Sequence, residues 1–276
     1  MDPLASGAMD AKTFYDLQPT PDPARWQLPV VPTLCTTGGF LFGGCGLGAC
    51  IAAMELVTDR PLVWATGQFL SYANPPSVMD IEVTVAADGR SITQARAVAR
   101  VGGREILTAN AALGARSFPY DGQWTSMPDD VPGPDECAPR ESPFPAEGTI
   151  MERLDQRLAI GRHFAEEPHD GSSDGRSAVW TRMPELLEMS AGSLAILGDY
   201  VPMGIWQALG KPTMSNSLDN TLRMLQVVPT EWVLLEIEVD GVHHGFGHGK
   251  VHLWAEDGTL MATASQSSIV RHRPPM

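Results

Sequence analysis

Two polar residues interrupt apolar strand patterns in the second half of the sequence. Asp219 lies among apolar residues in a predicted strand over 218–225, although aspartate is depleted in strand interiors. Gln266 shares the alternating register of Ala262 and Ala264, which predicts an inward-facing amide, and an unpartnered amide there costs about 1–3 kcal/mol. A carboxylate can take a proton from water while an amide orients that water, so the pair predicts general-base hydrolysis. A turn aspartate and a solvent-facing glutamine are the alternative interpretations.

Two glycines at a predicted helix start are candidates for binding the oxyanion or the substrate. Gly43 and Gly44 open a predicted buried helix over 43–57, and the first N–H groups of a helix are free to bind negative charge. Tight helix packing is the alternative reason for glycine there. The segment lacks a dinucleotide fingerprint and the GK[ST] of a phosphate loop, so we expect no cofactor.

Four histidines within eleven residues invite a metal interpretation, which the spacing does not favour. No acidic or cysteine partner stands at the spacing of known zinc sites, and histidines on a strand point to different faces. We therefore expect no metal. A milder hypothesis is that His243 or His244 orients water or substrate. The four are His243, His244, His248 and His252.

Composition and charge exclude several classes of protein. The 276 residues are 43% hydrophobic and 19% charged, which predicts a globular chain, and the net charge of −14 disfavours nucleic acid and anionic membranes as partners. Four cysteines without a CxxC pair predict free thiols in a reducing compartment, and no export signal is evident, so we expect a cytoplasmic protein. Segment 40–57 contains glycines and Glu55, which predicts a buried helix rather than a membrane span.

An internal repeat organises the chain. Asp88-Gly89 and Asp240-Gly241 each follow an apolar/polar alternation, 152 positions apart, and both predict hairpin turns. Residues 106–110 match residues 261–265 at an offset of 155. A second helical segment over 193–209, which Pro202 kinks or divides, corresponds to the first helix.

The repeat predicts an α+β fold in which each half is a buried helix wrapped by a curved antiparallel sheet. We expect units at 1–117 and 149–276, joined by an acidic, proline-rich linker at 118–148. The second unit is predicted to open with a short helix over 150–160. A strand near 178–183 then follows a loop over 169–175.

The order and spacing of these features resemble the type II acyl-CoA thioesterases, in the double-hotdog branch of the hotdog-fold superfamily. The resemblance implies a single-chain pseudo-dimer that hydrolyses a fatty or related acyl-CoA to free acid and CoA. It also implies that neither a metal nor a covalent intermediate takes part. The matching residues are Leu41-Phe42-Gly43-Gly44, Asp88-Gly89, Ser217-Leu218-Asp219 and Asp257-Gly258 through Arg271, with Gln266 between them.

The family site, carried over residue by residue, implies a water-holding Asp at Asp219 and a Gln at Gln266. The family's Thr or Ser falls on Asp240 or Gly241, so the hydroxyl does not carry over. By offset, the first half has Ala111 in place of Gln266, which predicts one site per chain.

Two other functions stay open. One is a non-catalytic or degenerate hotdog protein that binds acyl thioesters; the other is a hotdog hydratase or dehydratase, which needs an Asp/His pair at the start of the central helix. No such pair stands near Gly43. The carrier is CoA or an acyl-carrier protein, and sheet edges allow a homo-oligomer.

Overall fold

The described residues build one antiparallel sheet that carries four α-helices. The computed structural model describes residues 9–142, 144–163, 174–183, 188–211 and 213–272. The helices are α1 (Ala11–Phe14), α2 (Gly43–Thr58), α3 (Ala191–Leu197) and α4 (Val201–Leu209). The strands of the first half are β1 (Gln18–Pro19), β2 (Arg25–Val30), β3 (Leu62–Phe69), β4 (Ser77–Asp88), β5 (Ile92–Val101) and β6 (Arg104–Gly114). Those of the second half are β7 (Ala138–Pro139), β8 (Asp155–Ile160), β9 (Arg176–Arg182), β10 (Thr213–Ser217), β11 (Asp219–Met224), β12 (Val233–His243), β13 (Phe246–Ala255) and β14 (Leu260–His272).

The two halves of the sheet meet at the pair β3–β11, which we call the seam. The strand order is β1-β2-β4-β5-β6-β3-β11-β14-β13-β12-β9-β8-β7, and β10 pairs with β14 beside this path. At the seam Thr221 stands opposite Thr66, and their hydroxyl oxygens are 2.6 Å apart. The seam therefore makes one continuous sheet from the two repeats.

Small side chains let α2 lie buried between the sheet and α3. A Cβ on Gly44 would lie 2.7 Å from the carbonyl oxygen of Ala195, and one on Gly48 would lie 2.9 Å from that of Gly192. Nearly the whole of α2 is buried, as the pattern of small and apolar residues predicts. None of the helices in the described ranges is long and apolar enough to cross a membrane.

Several predicted elements are confirmed. The first helix runs to Thr58 and ends where Asp59 adopts a left-handed conformation. The second helical segment is divided into α3 and α4, with Pro202 in the first turn of α4, where proline costs no hydrogen bond. Asp88-Gly89 begins the β4–β5 turn, and β9 matches the strand predicted near 178–183. Residues 169–173 of the predicted loop lie outside the described residues.

Two local predictions are wrong. Asp240-Gly241 lies inside β12, where the register with β13 shifts between Val239 and Gly241. The turn instead comes at His244 and Gly245, both with positive φ, the backbone conformation that a two-residue hairpin turn needs. Residues 150–160 form a single 3-10 turn, Ile150–Arg153, followed by β8, because pairing with β9 overrides the local helical pattern.

The predicted linker 118–148 packs on the outer face of the second half of the sheet. Trp180 Nε1 donates to the carbonyl oxygen of Pro132 at 2.8 Å, and Arg176 donates two hydrogen bonds to Asp130. The segment also contains the 3-10 helix Pro134–Glu136 and the short strand β7. Its attachment to the sheet goes beyond the extended connection that its composition predicts. The unit boundaries at 117 and 149 stay a prediction.

Tyr15 ties the amino-terminal segment to α3. Its ring is fully buried, and its hydroxyl donates to the carbonyl oxygen of Gly192 at 3.0 Å. Tyr15→Phe should lower the free energy of unfolding by about 1 kcal/mol, measured by urea denaturation, because one buried hydrogen bond is lost. Tyr120→Phe, at a site 76% exposed, is the matched control and should leave the free energy of unfolding unchanged. Equal stabilities of the two variants would contradict this role of Tyr15.

Candidate active site

Asp199 is a buried carboxylate at the junction of α3 and α4. Its Oδ2 accepts a hydrogen bond from the backbone N–H of Gly44 at 2.7 Å. Its Oδ1 accepts from the hydroxyl of Ser217 at 3.3 Å and from Nε2 of Gln266. Only 6% of Asp199 is exposed, so these three donors replace water around the carboxylate.

The orientation of Gln266 is fixed by the backbone at the start of α4. Its Oε1 accepts from the N–H of Val201 at 3.0 Å, which turns Nε2 toward Asp199. Nε2 also lies 3.0 Å from the hydroxyl oxygen of Ser217. The amide and the hydroxyl therefore hold each other and one oxygen of Asp199.

Burial gives this carboxylate an unusual proton affinity. It raises the pKa of Asp199 to about 6, because the charged form loses its hydration, while the hydrogen bonds from Gln266, Gly44 and Ser217 act in the opposite direction. The amino-terminal end of α2 also favours the ionised form. At neutral pH, Asp199 is therefore mostly ionised and a stronger base than an exposed aspartate.

Gly43 forms the floor of the site next to Asp199. A Cβ there would lie 2.6 Å from Asp199 Oδ2 and 3.0 Å from Cζ of Phe69, so only glycine leaves this space open. The Gly44 N–H already holds the carboxylate. The N–H of Gly43 has no acceptor among the described residues, which leaves it available to a ligand.

Three of the four acceptor positions of the Asp199 carboxylate are used. Oδ1 accepts two hydrogen bonds and Oδ2 accepts one, whereas a carboxylate offers about four lone-pair positions. The remaining position is on Oδ2, the oxygen that borders Gly43. A molecule that approaches along Gly43 can therefore give a proton to Asp199.

A cavity of about 340 Å³ leads to this cluster. Asp199, Gly43 and Ser217 contribute to its wall, and most of the remaining wall is apolar. Six of the apolar or aromatic lining residues are Phe40, Leu41, Phe42, Phe69, Leu70 and Tyr72. Both halves of the chain contribute, so the cavity lies at the end of the seam.

A larger depression of about 480 Å³ lies elsewhere, on the first half of the sheet, and does not compete with this site. Its described lining contains two arginines and three acids, and Arg25 and Arg100 both pair with Glu82 at 3.3 Å. None of the three carboxylates in its described lining is buried. We therefore place the candidate site at Asp199.

The structure brings some of the predicted site residues together and separates others. Gln266, Gly43 and Gly44 surround Asp199, as described above. Asp219 does not line the cavity, and its Oδ1 accepts the backbone N–H of Ser267 at 2.8 Å. The geometry therefore gives Asp219 a structural hydrogen bond at the start of β11.

A shift in strand register explains why Asp219 lies away from the cluster. Ser217 pairs with Ser268, but Thr221 pairs with Ser265, so one extra residue lies between these pairs. Such a bulge reverses the alternation of faces. Ser217 faces Asp199, Asp219 faces away, and the buried Asn220 takes the inner face.

The residues at the end of β12 lie away from the cavity. Asp240, Gly241, His243 and His244 are absent from its described lining, and the rings of the exposed His243 and His244 lie with their centroids 4.0 Å apart at the turn before β13. The position of the family's Thr or Ser falls on Asp240 or Gly241, which have no hydroxyl, whereas the hydroxyl in the cluster belongs to Ser217. Within the described ranges, no three His, Cys, Asp or Glu side chains group as a possible metal site.

Sequence reasoning missed Asp199 and Ser217, although the repeat contained the signal for Asp199. At the offset of 155, Leu41-Phe42-Gly43-Gly44 aligns with Ile196-Leu197-Gly198-Asp199. An acid thus stands where the first half has Gly44, and these two residues are hydrogen-bonded. Ser217 carries no comparable signal, because its inward orientation depends on the bulge that follows it.

Comparison with known proteins identifies the family. The acyl-CoA thioesterase N-terminal domain model matches residues 31–114, and the acyl-CoA thioesterase C-terminal domain model matches residues 134–270. The chain belongs to the acyl-CoA thioesterase family. It is thus related to thioester hydrolases in both halves, and the double-hotdog expectation from the sequence is confirmed. No curated protein matches the sequence significantly.

Solved structures of similar proteins align with nearly the whole of the thioesterase chain. A proposed thioesterase from Novosphingobium aromaticivorans is 31% identical, with a TM-score of 0.82 over 92% of this chain and 97% of that one. A hotdog-fold protein of unknown function from Alicyclobacillus acidocaldarius is 21% identical, with a TM-score of 0.79 over 95% and 98%. Acyl-CoA thioesterase II TesB2 from Mycobacterium marinum is 17% identical, with a TM-score of 0.72 over 96% and 99%. The latter two support the fold.

The raised pKa of Asp199 predicts a pH dependence of stability. The folded thioesterase binds this proton more tightly than the unfolded chain, because the pKa rises from 3.8 to about 6. The contribution of Asp199 to the free energy of unfolding is therefore largest below about pH 4. It falls as the pH rises toward 6 and stays constant above that.

We expect the difference in unfolding free energy, wild type minus Asp199→Asn, to fall by about 1–3 kcal/mol between pH 4 and 7. Urea denaturation across this range measures it, and subtraction of the variant removes the other titrating groups. A difference that rises with pH would show a lowered pKa and contradict burial as the dominant effect on Asp199.

Proposed function

We propose that this protein hydrolyses acyl-CoA thioesters by direct attack of a water molecule that Asp199 activates. The observation that supports this most strongly is a buried carboxylate, with a pKa of about 6, at the inner end of an apolar cavity. Membership of the acyl-CoA thioesterase family supports the reaction class. The reaction consumes one water and releases one carboxylic acid and one thiol.

The free acceptor position on Asp199 Oδ2 gives the water its place. Water that donates to Oδ2 lies against Gly43, because that glycine borders the same oxygen. The water oxygen attacks the thioester carbonyl carbon while its proton moves to Oδ2. When the C–S bond breaks, the proton on Asp199 is available to the departing thiolate, which restores the base.

The Gly43 N–H is the proposed donor to the developing oxyanion. It lines the cavity at the positive end of α2 and has no other acceptor among the described residues. Gly44 has a different role, since its N–H holds Asp199. The sequence prediction assigned both glycines to oxyanion or substrate binding, and the geometry supports that role for Gly43.

Ser217 and Gln266 keep the base in position. Both bind Oδ1, and Gln266 is itself held by Val201, so the carboxylate cannot rotate without breaking buried hydrogen bonds. This leaves Oδ2 as the oxygen that accepts the proton. The apolar wall formed by residues such as Phe42 and Phe69 suits the acyl group of a fatty or related substrate.

The alternative functions predict different products from the same substrates. A hydratase or dehydratase on this fold needs a histidine beside its aspartate, and no described histidine lies in the Asp199 cluster. A non-catalytic acyl-thioester binder would bind acyl-CoA without releasing thiol. Thiol release from a panel of short, medium and long acyl-CoAs therefore separates hydrolysis from both.

Paired asparagine variants test the assignment of the base. Asp199→Asn should lower kcat by about 10²–10⁴-fold, because the side chain keeps its size but loses its capacity to take a proton. Asp219→Asn is the matched control and the alternative base from the sequence, and it should retain nearly wild-type kcat. Thiol release monitored with a chromogenic disulfide measures both, with circular dichroism to confirm folding. Loss of turnover in Asp219→Asn alone would overturn the assignment to Asp199.

The pKa of Asp199 also sets a pH profile for hydrolysis. Because the base must be ionised, kcat/KM should rise about tenfold per pH unit below pH 6 and become level above about pH 7. Initial rates with one acyl-CoA from pH 4.5 to 8 measure this. A flat profile over that range would show that the rate does not depend on ionisation of Asp199.

A further inference from the structure

We propose that Arg271 binds a phosphate group of the substrate's phosphopantetheine carrier at the outer opening of the cavity. This inference rests on the proposed function, since it assigns the carrier end of the same substrate. It fixes the orientation of the substrate in the cavity, with the thioester at Asp199 and the charged part of the carrier at Arg271.

The charges of the cavity wall support this orientation of the substrate. Among the lining residues that the structure describes, Asp199 is the only acid and Arg271 the only base. Asp199 is buried, whereas Arg271 is exposed, so the negative and positive groups lie at the inner and outer ends. An anionic carrier group is repelled by the inner end and attracted by the outer end.

Arg271 is held in place by a neutral partner. Its Nη1 donates to the amide oxygen of Asn216, and within the described ranges no carboxylate forms an ion pair with it. Other arginines of this acidic chain pair with acids, as Arg176 does with Asp130 and Arg182 with Asp155. A guanidinium has five N–H donors, so Arg271 keeps its full charge and most of its donors for a phosphate.

The cavity connects Arg271 to Asp199 across the sheet. Asn216 and Ser217 are consecutive residues of β10, whose side chains point to opposite faces, yet both line the cavity. Ser217 reaches Asp199 on the inner face, while Asn216 holds Arg271 on the outer face. The cavity therefore passes beside β10. Because a pantetheine arm separates a thioester from its phosphate, a phosphate-binding cation belongs at the outer end.

The test compares thioesters of one acyl group that differ only in the carrier. These are the acyl-CoA, the acyl-phosphopantetheine and the acyl-pantetheine, which has no phosphate. Wild type should show a lower KM for the first two than for the third. In Arg271→Gln this advantage should be lost, with KM for acyl-CoA raised roughly 5- to 30-fold, since a charge-assisted hydrogen bond to a partly exposed site is removed.

The control is Arg96→Gln. Arg96 is also exposed and also donates to a neutral amide, that of Asn110, but it lies away from the cavity. It should keep the wild-type preference for phosphorylated carriers. An equal KM for acyl-CoA and acyl-pantetheine in wild type, or an unchanged preference in Arg271→Gln, would overturn the proposal.

Binding without turnover keeps this test separate from that of hydrolysis. Calorimetric titration of CoA into wild type and Arg271→Gln should show the same roughly 5- to 30-fold loss of affinity, whether or not any acyl-CoA is hydrolysed. Equal affinities, or no binding of CoA to wild type, would contradict the role of Arg271. Comparison of an acyl-carrier-protein thioester with the acyl-CoA then identifies the carrier: a KM increase in Arg271→Gln for both supports a shared phosphate, and one for CoA alone supports CoA.

Discussion

The hydrogen bond from the Gly44 N–H to Asp199 Oδ2 is the interaction on which the site depends, because it joins the two halves of the chain at one carboxylate. It requires the start of α2 to lie against α3 at backbone distance. Cβ atoms on Gly43 or Gly44 would come within 2.7 Å of atoms around the junction, so glycine at both positions is a condition of the contact. The same contact buries Asp199, which raises its pKa, and places the end of α2 beside it, which keeps the ionised form accessible.

The repeat supplies a frame that is symmetric, while the candidate chemistry is asymmetric. By the offset of 155, the first half has Gly44 where the second has Asp199, and Ala111 where the second has Gln266. The first half therefore contributes the start of α2 with its two glycines, and the second half contributes the carboxylate, the hydroxyl and the amide. The candidate site therefore combines three side chains of the second half with the start of α2 from the first half.

The sequence predicts more of the fold than of the candidate site. The buried helix α2, the divided helix α3–α4 and the Asp88-Gly89 turn follow from local patterns that the tertiary structure reinforces. Gln266 was predictable because β14 keeps a regular alternation up to that residue. Asp219 was an equally good candidate by sequence pattern, but the bulge before Thr221 turns its side chain to the sheet face away from Asp199. No local sequence pattern predicts that bulge. Asp199 lies between two helices, where alternation carries no information, and only the aligned repeat points to it.

In the proposed reaction Asp199 acts on a water molecule and does not attack the thioester itself. Hydrolysis under single-turnover conditions in ¹⁸O-labelled water tests this directly, with mass analysis of the acid product and of the peptide that contains Asp199. Direct attack predicts that the acid acquires ¹⁸O in the first turnover and that Asp199 stays unlabelled. If the first acid carries no ¹⁸O and the label appears in Asp199, an anhydride between substrate and enzyme has formed, and Asp199 is a nucleophile rather than a general base.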